Sequence, residues 1–144
     1  WGDNWHGKLG SGSTAPFLWT PVVAMRAGSG AASVTVSAVG NHACARTVSG
    51  AMFCWGANGD GQLGDGAFAD RNTPTAVRTL GPDDHANVDA IAAGFAHTCA
   101  RKHGGVIVCW GNNDNGQLAD GALDDAVDPQ IVLLDEVIFR DGFQ

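Results

Sequence analysis

Residues 94–111, GFAHTCARKHGGVIVCWG, decide the fold because the chain carries the same pattern again at 39–56, VGNHACARTVSGAMFCWG. The histidine, both cysteines and the tryptophan recur 55 residues apart, as in 97 − 42 = 55. Each copy then runs into a glycine-rich turn, GQLAD at 116–120 and GQLGD at 61–65. A partial copy opens the chain, with WGDN at 1–4 and GKLG at 7–10. A repeat of this length indicates stacked supersecondary units.

Each full copy predicts a β-hairpin whose register can be counted. If Cys99 faces Cys109 across two antiparallel strands, residues 103–105 remain as a three-residue loop. The same count in the first copy leaves residues 48–50, and both loops end in glycine. A three-residue hairpin loop is commonly a type I turn followed by a left-handed residue, which glycine adopts without a Cβ clash. Cysteine pairing and turn chemistry therefore favour the same register.

The four cysteines fall into two matched pairs. Directly opposed strand residues are close enough for a disulfide with slight adjustment, so we predict Cys44–Cys54 and Cys99–Cys109. The alternative is a zinc site in each copy, because His-x-Cys places two side chains on one strand face and the second cysteine lies across the hairpin. Its ligands would be His42, Cys44 and Cys54, or His97, Cys99 and Cys109. Each set lacks a fourth ligand, so we expect disulfides, no metal, and structural histidines whose buried rings bond to backbone near the turn.

The segments around the hairpin complete a four-strand meander. An apolar segment at 90–92 precedes the second hairpin and predicts a strand. After the Gly/Asn/Asp turns, a further strand enters through proline at Pro21, Pro74 or Pro129. Four antiparallel strands in sequence order are the unit of a β-propeller blade. We therefore predict an all-β chain of such blades, with a loop at 81–88 and no helix of three or more turns within 34–143.

These residues resemble the regulator of chromosome condensation (RCC) repeat. Its pattern runs Gly-x-x-His-Thr-x-Ala, a hydrophobic strand, Trp-Gly-x-Asn-x-x-Gly-Gln-Leu-Gly-x-Gly, and a late proline before an apolar strand. The matching residues in the second full copy are His97, Trp110, Gly111, Asn113, Gly116, Gln117 and Leu118. The departures are Val39 where the second copy has Gly94, Ala119 for the usual glycine, and Lys8 for the usual glutamine.

The resemblance implies a propeller, normally of about seven blades, and implies much less about activity. The additional cysteines look like the secreted bacterial branch of the family. Repeat positions expected to build the scaffold are His42, His97, Trp1, Trp55, Trp110, Gln62 and Gln117. We expect the three tryptophans to pack between blades.

The length allows only a partial propeller or repeat array. The 144 residues make about 2.6 repeats of 55, whereas closed propellers have roughly 4–8 blades. We predict a partial repeat at 1–33, full repeats at 34–88 and 89–136, and the first strand of a following repeat at 137–144. We read the chain as a piece of a longer array, or as a protomer completed by a neighbour through its open strand edges.

The net charge of the chain limits the classes of partner it can bind, and its paired cysteines indicate the cellular compartment. The net charge is −7 and the eight Lys and Arg are scattered, which disfavours nucleic acid. No apolar run approaches the roughly 20 residues of a membrane span. Paired cysteines favour an oxidising compartment, so we expect a secreted, extracellular or periplasmic protein.

The Asn/Asp/Gly runs at 58–61 and 112–116 raise the question of calcium. Calcium loops alternate oxygen ligands before a glycine, but the distal glutamate of the full pattern is missing. Asn, Asp and Gly also form turns that tolerate left-handed backbone. We expect turns without a bound ion.

The loops that differ between copies are the predicted binding surface. Phe68 and Leu123 occupy the same position in the two copies, and each is an apolar residue in an otherwise polar loop beside residues such as Asp124. Trp5 and Trp19 are off-pattern and are candidate exposed anchors. Loops on a rigid scaffold can vary and carry recognition.

We therefore predict a non-enzymatic, secreted repeat module without a cofactor, binding a protein partner or itself. No catalytic residue breaks the symmetry between copies, and no paired carboxylates or activated nucleophile recur in register. A structural subunit of an extracellular fibre or envelope is one alternative. A propeller-type enzyme inhibitor is the other.

Overall fold

The computed structural model describes residues 1–78 and 88–132. Within them the chain is all-β apart from a single 3-10 turn at Trp5–Gly7. A two-stranded ribbon pairs β1 (Gly2–Asp3) with β2 (Phe17–Leu18). The first sheet contains β3 (Ala31–Val36), β4 (His42–Thr47), β5 (Met52–Gly56) and β6 (Arg71–Ala76). The second sheet contains β7 (Val88–Ala93), β8 (His97–Lys102), β9 (Ile107–Gly111) and β10 (Ala126–Ile131).

Both sheets are antiparallel meanders, because each strand pairs with its sequence neighbours. This confirms the predicted fold class of four-stranded antiparallel blades. The expected loop at 81–88 lies outside the described residues except for Val88, which begins β7. The strand expected at 137–144 lies outside them altogether. No helix in the described part of the chain is long and apolar enough to cross a membrane.

The hairpin register is the predicted one in both sheets. Cys44 lies opposite Cys54, and Cys99 lies opposite Cys109. Gly50 closes the first loop with φ +83° and donates its N–H to the carbonyl of Thr47 at 3.0 Å. The last glycine of the second loop is likewise left-handed, at φ +91°.

The outer strands are irregular where proline enters. Register shifts fall between Cys54 and Gly56 on β5, opposite the part of β6 that contains Pro74, and Pro129 lies within the corresponding shift of β10. Proline has no N–H for the ladder and is tolerated at bulges and on edge strands. In the first repeat the expected strand after Pro21 is absent, and Phe17–Leu18 pairs instead.

The two copies differ before β4 in a way that corrects the sequence alignment. Ser37 donates its N–H to the carbonyl of His42, and Gly94 makes the same bond to His97. Ser37 is therefore the structural counterpart of Gly94, and the predicted counterpart Val39 was wrong. The turn before β4 is two residues longer than the turn before β8. Aligning the two copies without a gap therefore displaces every residue before this turn by two positions.

The main core lies between the two four-stranded sheets. Its buried residues include Cys44, Leu63, Val108, Trp110 and Leu118. A smaller cluster joins the N-terminal segment to the first sheet, where Ala43, Ala45 and Trp55 pack with Ala24 and Met25. Each four-stranded sheet thus places its tryptophan against the repeat that precedes it.

Candidate functional site

A buried asparagine organises the long loop between β5 and β6. The side-chain amide of Asn58 donates to the carbonyls of Ala67 and Ala69 at 2.9 and 3.1 Å. Its side-chain oxygen accepts the N–H of Leu63 at 3.0 Å. Asn58 has no exposed surface; its bond from Leu63 is buried, and those to the two carbonyls are partly buried. The two carbonyls lie on either side of residue 68, and the side chain of that residue takes no part in these hydrogen bonds.

The same arrangement occurs in the other repeats. The amide of Asn113 donates to the carbonyls of Ala122 and Asp124 at 3.1 and 3.2 Å. The amide of Asn4 donates to the carbonyls of Ser13 and Ala15 at 3.1 and 2.8 Å. We call residues 13–15, 67–69 and 122–124 the display loops, and their central residues the display positions.

The display positions hold Thr14, Phe68 and Leu123, all exposed. Phe68 is 59 % exposed and Leu123 is 69 % exposed, and their role in binding stays a prediction. Exposure alone is common for apolar residues. The informative feature is that hydrogen bonds from a buried asparagine fix the backbone on both sides of each one. The structure therefore brings Phe68 and Leu123 to matching places on neighbouring repeats, with the exposed Asp124 beside the second.

The carboxylates of these loops bond to the protein itself. Asp65 accepts from the amide of Asn58 at 3.1 Å and forms an ion pair with Arg71 at 2.7 Å. Asp70 accepts the N–H of Asn58 at 2.8 Å, and Asp125 accepts that of Asn113 at 2.7 Å. Among the described residues, no three His, Cys, Asp or Glu side chains gather closely enough to hold a metal ion.

Both predicted disulfides are present. The Cys44–Cys54 and Cys99–Cys109 bridges each join residues ten apart, with Cα atoms 4.1 Å apart. Cys44 and Cys54 are completely buried between the two sheets. Cys99 is half-buried and Cys109 is buried, on the opposite face of the second sheet from Trp110. The thiols considered as zinc ligands are thus consumed by the bridges.

His42 bonds across the sheets, not to backbone near the turn as expected. Its Nε2 lies 2.9 Å from Oγ1 of Thr98, and that hydroxyl donates to the carbonyl of Gln62 at 2.8 Å. Because the hydroxyl hydrogen is already used, Nε2 must carry the imidazole proton. Nδ1 is then an unprotonated buried atom with no partner among the residues that the structure describes. Burial lowers the pKa of His42 to about 4, and the electrostatic influence of the nearby His97 acts in the same direction.

His97 has a different environment although it matches His42 in sequence. It is half-buried, and its ring lies over Gly94, where a Cβ would come within 2.3 Å of the ring. The histidine position is therefore used in two ways, across the sheets at 42 and over the adjacent turn at 97.

The packing of each tryptophan explains why a glycine stands at the contact point in the preceding repeat. Nε1 of Trp110 donates to the carbonyl of Gln62 at 2.9 Å, and a Cβ on Gly64 would lie 2.6 Å from that nitrogen. Nε1 of Trp55 donates to the carbonyl of Lys8 at 2.9 Å. Because the backbone accepts this bond, lysine can replace the usual glutamine there.

Trp1 does not pack between blades as expected, since it is 73 % exposed. Its counterparts Trp55 and Trp110 instead donate their indole N–H groups to the repeat before them. The glutamine side chains hold their own turns. Oε1 of Gln62 accepts the N–H of Asp60, and Oε1 of Gln117 accepts that of Asn115, both at 2.9 Å.

Trp5 and Trp19 are both exposed, at 59 % and 88 %, but their settings differ. Trp5 lies in the 3-10 turn beside the first display loop. The Trp19 ring stacks on that of Phe17, with centroids 6.1 Å apart.

Sequence reasoning missed the asparagines as organisers of the loops. Asn4, Asn58 and Asn113 recur at the same place in the three copies, a polar residue following Trp-Gly by two positions. That recurrence was the available signal. Their partners are backbone carbonyls nine and eleven residues further on, which no residue type reveals.

Comparison with known proteins bears on what such loops do. Two family models described as "Regulator of chromosome condensation (RCC1) repeat" match residues 49–101 and residues 34–62 with 88–117. The probable E3 ubiquitin-protein ligase HERC3 of Homo sapiens is 36 % identical over 133 residues, 92 % of this chain and 12 % of that protein. The ultraviolet-B receptor UVR8 of Arabidopsis thaliana is 32 % identical over 129 residues, 90 % of this chain and 28 % of the receptor. The chain thus spans between about an eighth and about a quarter of these relatives.

Solved structures share the fold. Human WBSCR16 superposes with a TM-score of 0.76 at 23 % identity, over 93 % of this chain and 34 % of that chain. Prp20p of Saccharomyces cerevisiae superposes with a TM-score of 0.78 at 18 % identity, over 94 % of this chain and 34 % of that chain. These similarities place the two sheets as adjoining blades of a partial propeller.

Proposed function

Because the chain belongs to the RCC1 repeat family, we propose that it is a non-enzymatic module that binds a partner protein through its display loops. The observation that carries this proposal is the buried asparagine that bonds the carbonyls on both sides of Phe68, repeated around Leu123. A contact residue held on a fixed backbone loses little conformational entropy on binding. Such loops present apolar side chains to a partner at low entropic cost.

Relatives support a protein partner. The Prp20p structure is described together with binding to Gsp1p and histones, and a second structure has yeast RCC1 (Prp20) bound to Kap60. These partners belong to those proteins, of which this chain matches about a third. What we transfer is only the class of ligand, a protein. The net charge of −7 further favours a protein over nucleic acid here.

We further propose that the protein works in an oxidising compartment, secreted, extracellular or periplasmic. Its two disulfides support this location, since such bridges persist where thiols are not kept reduced. Intact mass of the protein purified from its source without reductant should fall four hydrogens below the reduced mass. Fully reduced cysteines in that material would reject the proposal.

Self-association is a second candidate, favoured by one exposed sheet face. Val34 and Val36 are 65 % and 66 % exposed on β3, opposite Ala45 and Ala43 on β4. They therefore extend the face that carries Trp55. A second copy could cover this face, as in a structural subunit that assembles through its open edge.

Site-specific photo-crosslinking tests the display loops. A benzoyl-phenylalanine placed at Phe68 or at Leu123 should give the same covalent adduct in material from the native source. The control position is Val48, which is 78 % exposed in the hairpin loop at the opposite end of the first sheet. Adducts of equal yield from position 48, or none from 68 and 123, would reject the proposal.

The mass of the adduct separates the two candidates. An adduct with another protein supports a partner, whereas an adduct of twice the chain mass supports self-association. The double variant Phe68→Ser with Leu123→Ser should lose partner capture while keeping its thermal unfolding midpoint, because both side chains are exposed.

A further inference from the structure

A cleft of about 540 Å³ lies between the first repeat and the first sheet. Its walls include Trp5 and His6 of the 3-10 turn, Thr14 and Pro16 near the first display loop, and Asp70 and Asn72 near the start of β6. The volume is within the range of roughly 300–1,000 Å³ that is usual for small-ligand sites. The cleft is thus large enough to hold a small ligand.

The tryptophan and histidine of this cleft have no counterparts in the other two repeats. At the positions of Trp5 and His6, the second copy has Gly59 and Asp60 and the third has Asp114 and Asn115. The repeat scaffold therefore needs neither the indole nor the imidazole at these places. Two side chains that the scaffold does not need have been added side by side on the wall of one cleft.

The backbone at His6 is strained in a way that its counterparts are not. His6 has φ +61°, and among the described non-glycine residues Ala119 alone shares a positive φ. A left-handed conformation is unfavourable for a residue with a Cβ, because that atom crowds the following carbonyl oxygen. Such strain clusters at ligand sites, where the surrounding structure holds a side chain in place.

The two ionisable side chains that line the cleft bond to each other. Nδ1 of His6 lies 2.6 Å from Oδ2 of Asp70, and each side chain is a little under half exposed. The described lining holds no lysine or arginine for an anionic ligand, and its one carboxylate already has partners in His6 and the N–H of Asn58. It offers one exposed aromatic ring, the ring of Pro16, and polar groups free to bond.

Several polar groups on the walls have hydrogen-bonding capacity to spare. Within the described residues, neither the Thr14 hydroxyl nor the Trp5 indole N–H has a partner. The Asn72 amide donates to the carbonyl of Gly12 at 3.1 Å, which leaves its side-chain oxygen to accept. Donors and acceptors thus surround an apolar platform.

We propose that this cleft binds a neutral saccharide. A sugar ring presents an apolar C–H face that packs on an indole, and hydroxyls that bond to hydroxyl, amide, imidazole and carboxylate groups around its edge. Trp5 supplies the platform, while Thr14, Asn72 and the His6–Asp70 pair bond the ring edge. The cleft borders the first display loop through Thr14, whereas the proposed protein contact rests on Phe68 and Leu123, which do not line it. Either proposal can therefore fail without the other.

Titration of the full chain with defined oligosaccharides tests the proposal. The probes are cellohexaose, chitohexaose, xylohexaose and mannohexaose, with tetralysine, tetraglutamate and a neutral tetrapeptide as competing classes. Nuclear magnetic resonance should show saturable shifts for at least one saccharide at the indole N–H of Trp5 and the side-chain amide of Asn72. No saturable saccharide binding, or saturation only by a peptide, would overturn the proposal.

Matched tryptophan variants locate the site. Trp5→Ala should weaken the saccharide at least about tenfold, which corresponds to 1.4 kcal/mol. Trp19→Ala is the control, because that indole is more exposed and lies outside the cleft. The double change Trp5→Gly with His6→Asp, which copies the second repeat, should abolish binding and leave the thermal unfolding midpoint within a few degrees. Equal losses from Trp5→Ala and Trp19→Ala would overturn the assignment.

Discussion

The buried side-chain amide of Asn58 holds a loop of more than ten residues together through its hydrogen bonds. It bonds to Ala67, Ala69 and Asp65, while its oxygen holds the N–H of Leu63. Because Asn58 itself is fully buried, its truncation leaves the buried Leu63 N–H and the partly buried loop carbonyls without their partner. An unsatisfied buried polar group costs about 1–3 kcal/mol.

We therefore expect Asn58→Ala to lower the free energy of unfolding by about 3 kcal/mol, measured by urea denaturation. The control is Asn115→Ala, whose exposed side chain lies in the equivalent turn of the next repeat and should change stability by no more than about 0.5 kcal/mol. Asn113→Ala should behave like Asn58→Ala. Similar small losses for Asn58 and Asn115 would show that the buried amide does not hold the loop.

A second prediction at this scale concerns pH and His42. Its pKa is lowered from 6.5 to about 4 in the folded chain. Between these values the unfolded chain binds more protons than the folded one, so stability rises with pH through this window and falls as the pH drops. From pH 7 to pH 4.5 the loss due to His42 should be about 2 kcal/mol.

The measurement compares unfolding free energies of the natural chain and the His42→Gln variant across that range. Glutamine can still donate to Thr98 but does not titrate, and the carboxylates contribute equally to both chains. The difference between the two chains should therefore change with pH and be flat above about 6.5. A difference that is constant from pH 7 to pH 4.5 would contradict the buried neutral imidazole.

At the scale of the elements, each four-stranded sheet joins its predecessor where a tryptophan packs on a glycine. A Cβ on Gly64 would collide with Trp110, and one on Gly10 would come within 2.7 Å of Trp55. Both glycines are left-handed, at φ +66° and +68°, and the third repeat has Ala119 at φ +51° instead. The glycine is thus required by two separate constraints, conformation and space.

The paired variants Gly64→Ala and Ala119→Gly separate these constraints. Gly64→Ala should destabilise the chain by about 3 kcal/mol, through collision with Trp110 and a strained backbone. Ala119→Gly should stabilise it by at most about 1 kcal/mol, because relief of strain is offset by chain entropy. Midpoints in urea report both, and a harmless Gly64→Ala would show that the two repeats are not packed as described.

The two hairpin disulfides should differ in reactivity because the sheets cover them differently. Cys44 and Cys54 have no exposed surface, whereas Cys99 is half-buried. Under native conditions, mild reduction and alkylation should label Cys99 and Cys109 first, as read by peptide mass spectrometry. In urea both pairs should react alike, and equal native rates would contradict the burial of the first bridge between the sheets.

The sequence could predict elements whose determinants are local. The cysteines of each hairpin are ten residues apart and its glycine sits inside the same loop, so strand pairing and disulfides followed from one short segment. The two-residue insertion before His42 was not predicted, because backbone bonds and not residue types reveal it. Nor was the bond from His42 to Thr98, since 56 residues separate the partners. Contacts between sheets depend on how two repeats pack against each other, and the sequence of one repeat does not reveal this.

At the scale of the whole molecule, the repeats stabilise one another mainly through their neighbours. The carbonyl of Gln62 accepts bonds from both Thr98 and Trp110 of the next repeat. The first disulfide is part of the same core between the sheets. Stacked repeats of this kind derive their stability from each unit plus its interfaces. A defect at this one interface therefore weakens two sheets at once.

The short span of each disulfide also gives the chain a mechanical property. A bridge between residues ten apart replaces a backbone span of about 35 Å, at 3.3–3.6 Å per residue, by the 4.1 Å between its Cα atoms. Pulled from its ends until every hydrogen bond has broken, the oxidised chain would stay about 60 Å shorter than the reduced one. Both hairpins would still have their cysteines in register when the load is released. The bridges thus act as limits on stretch, and refolding after tension starts from two strand pairs that are already aligned.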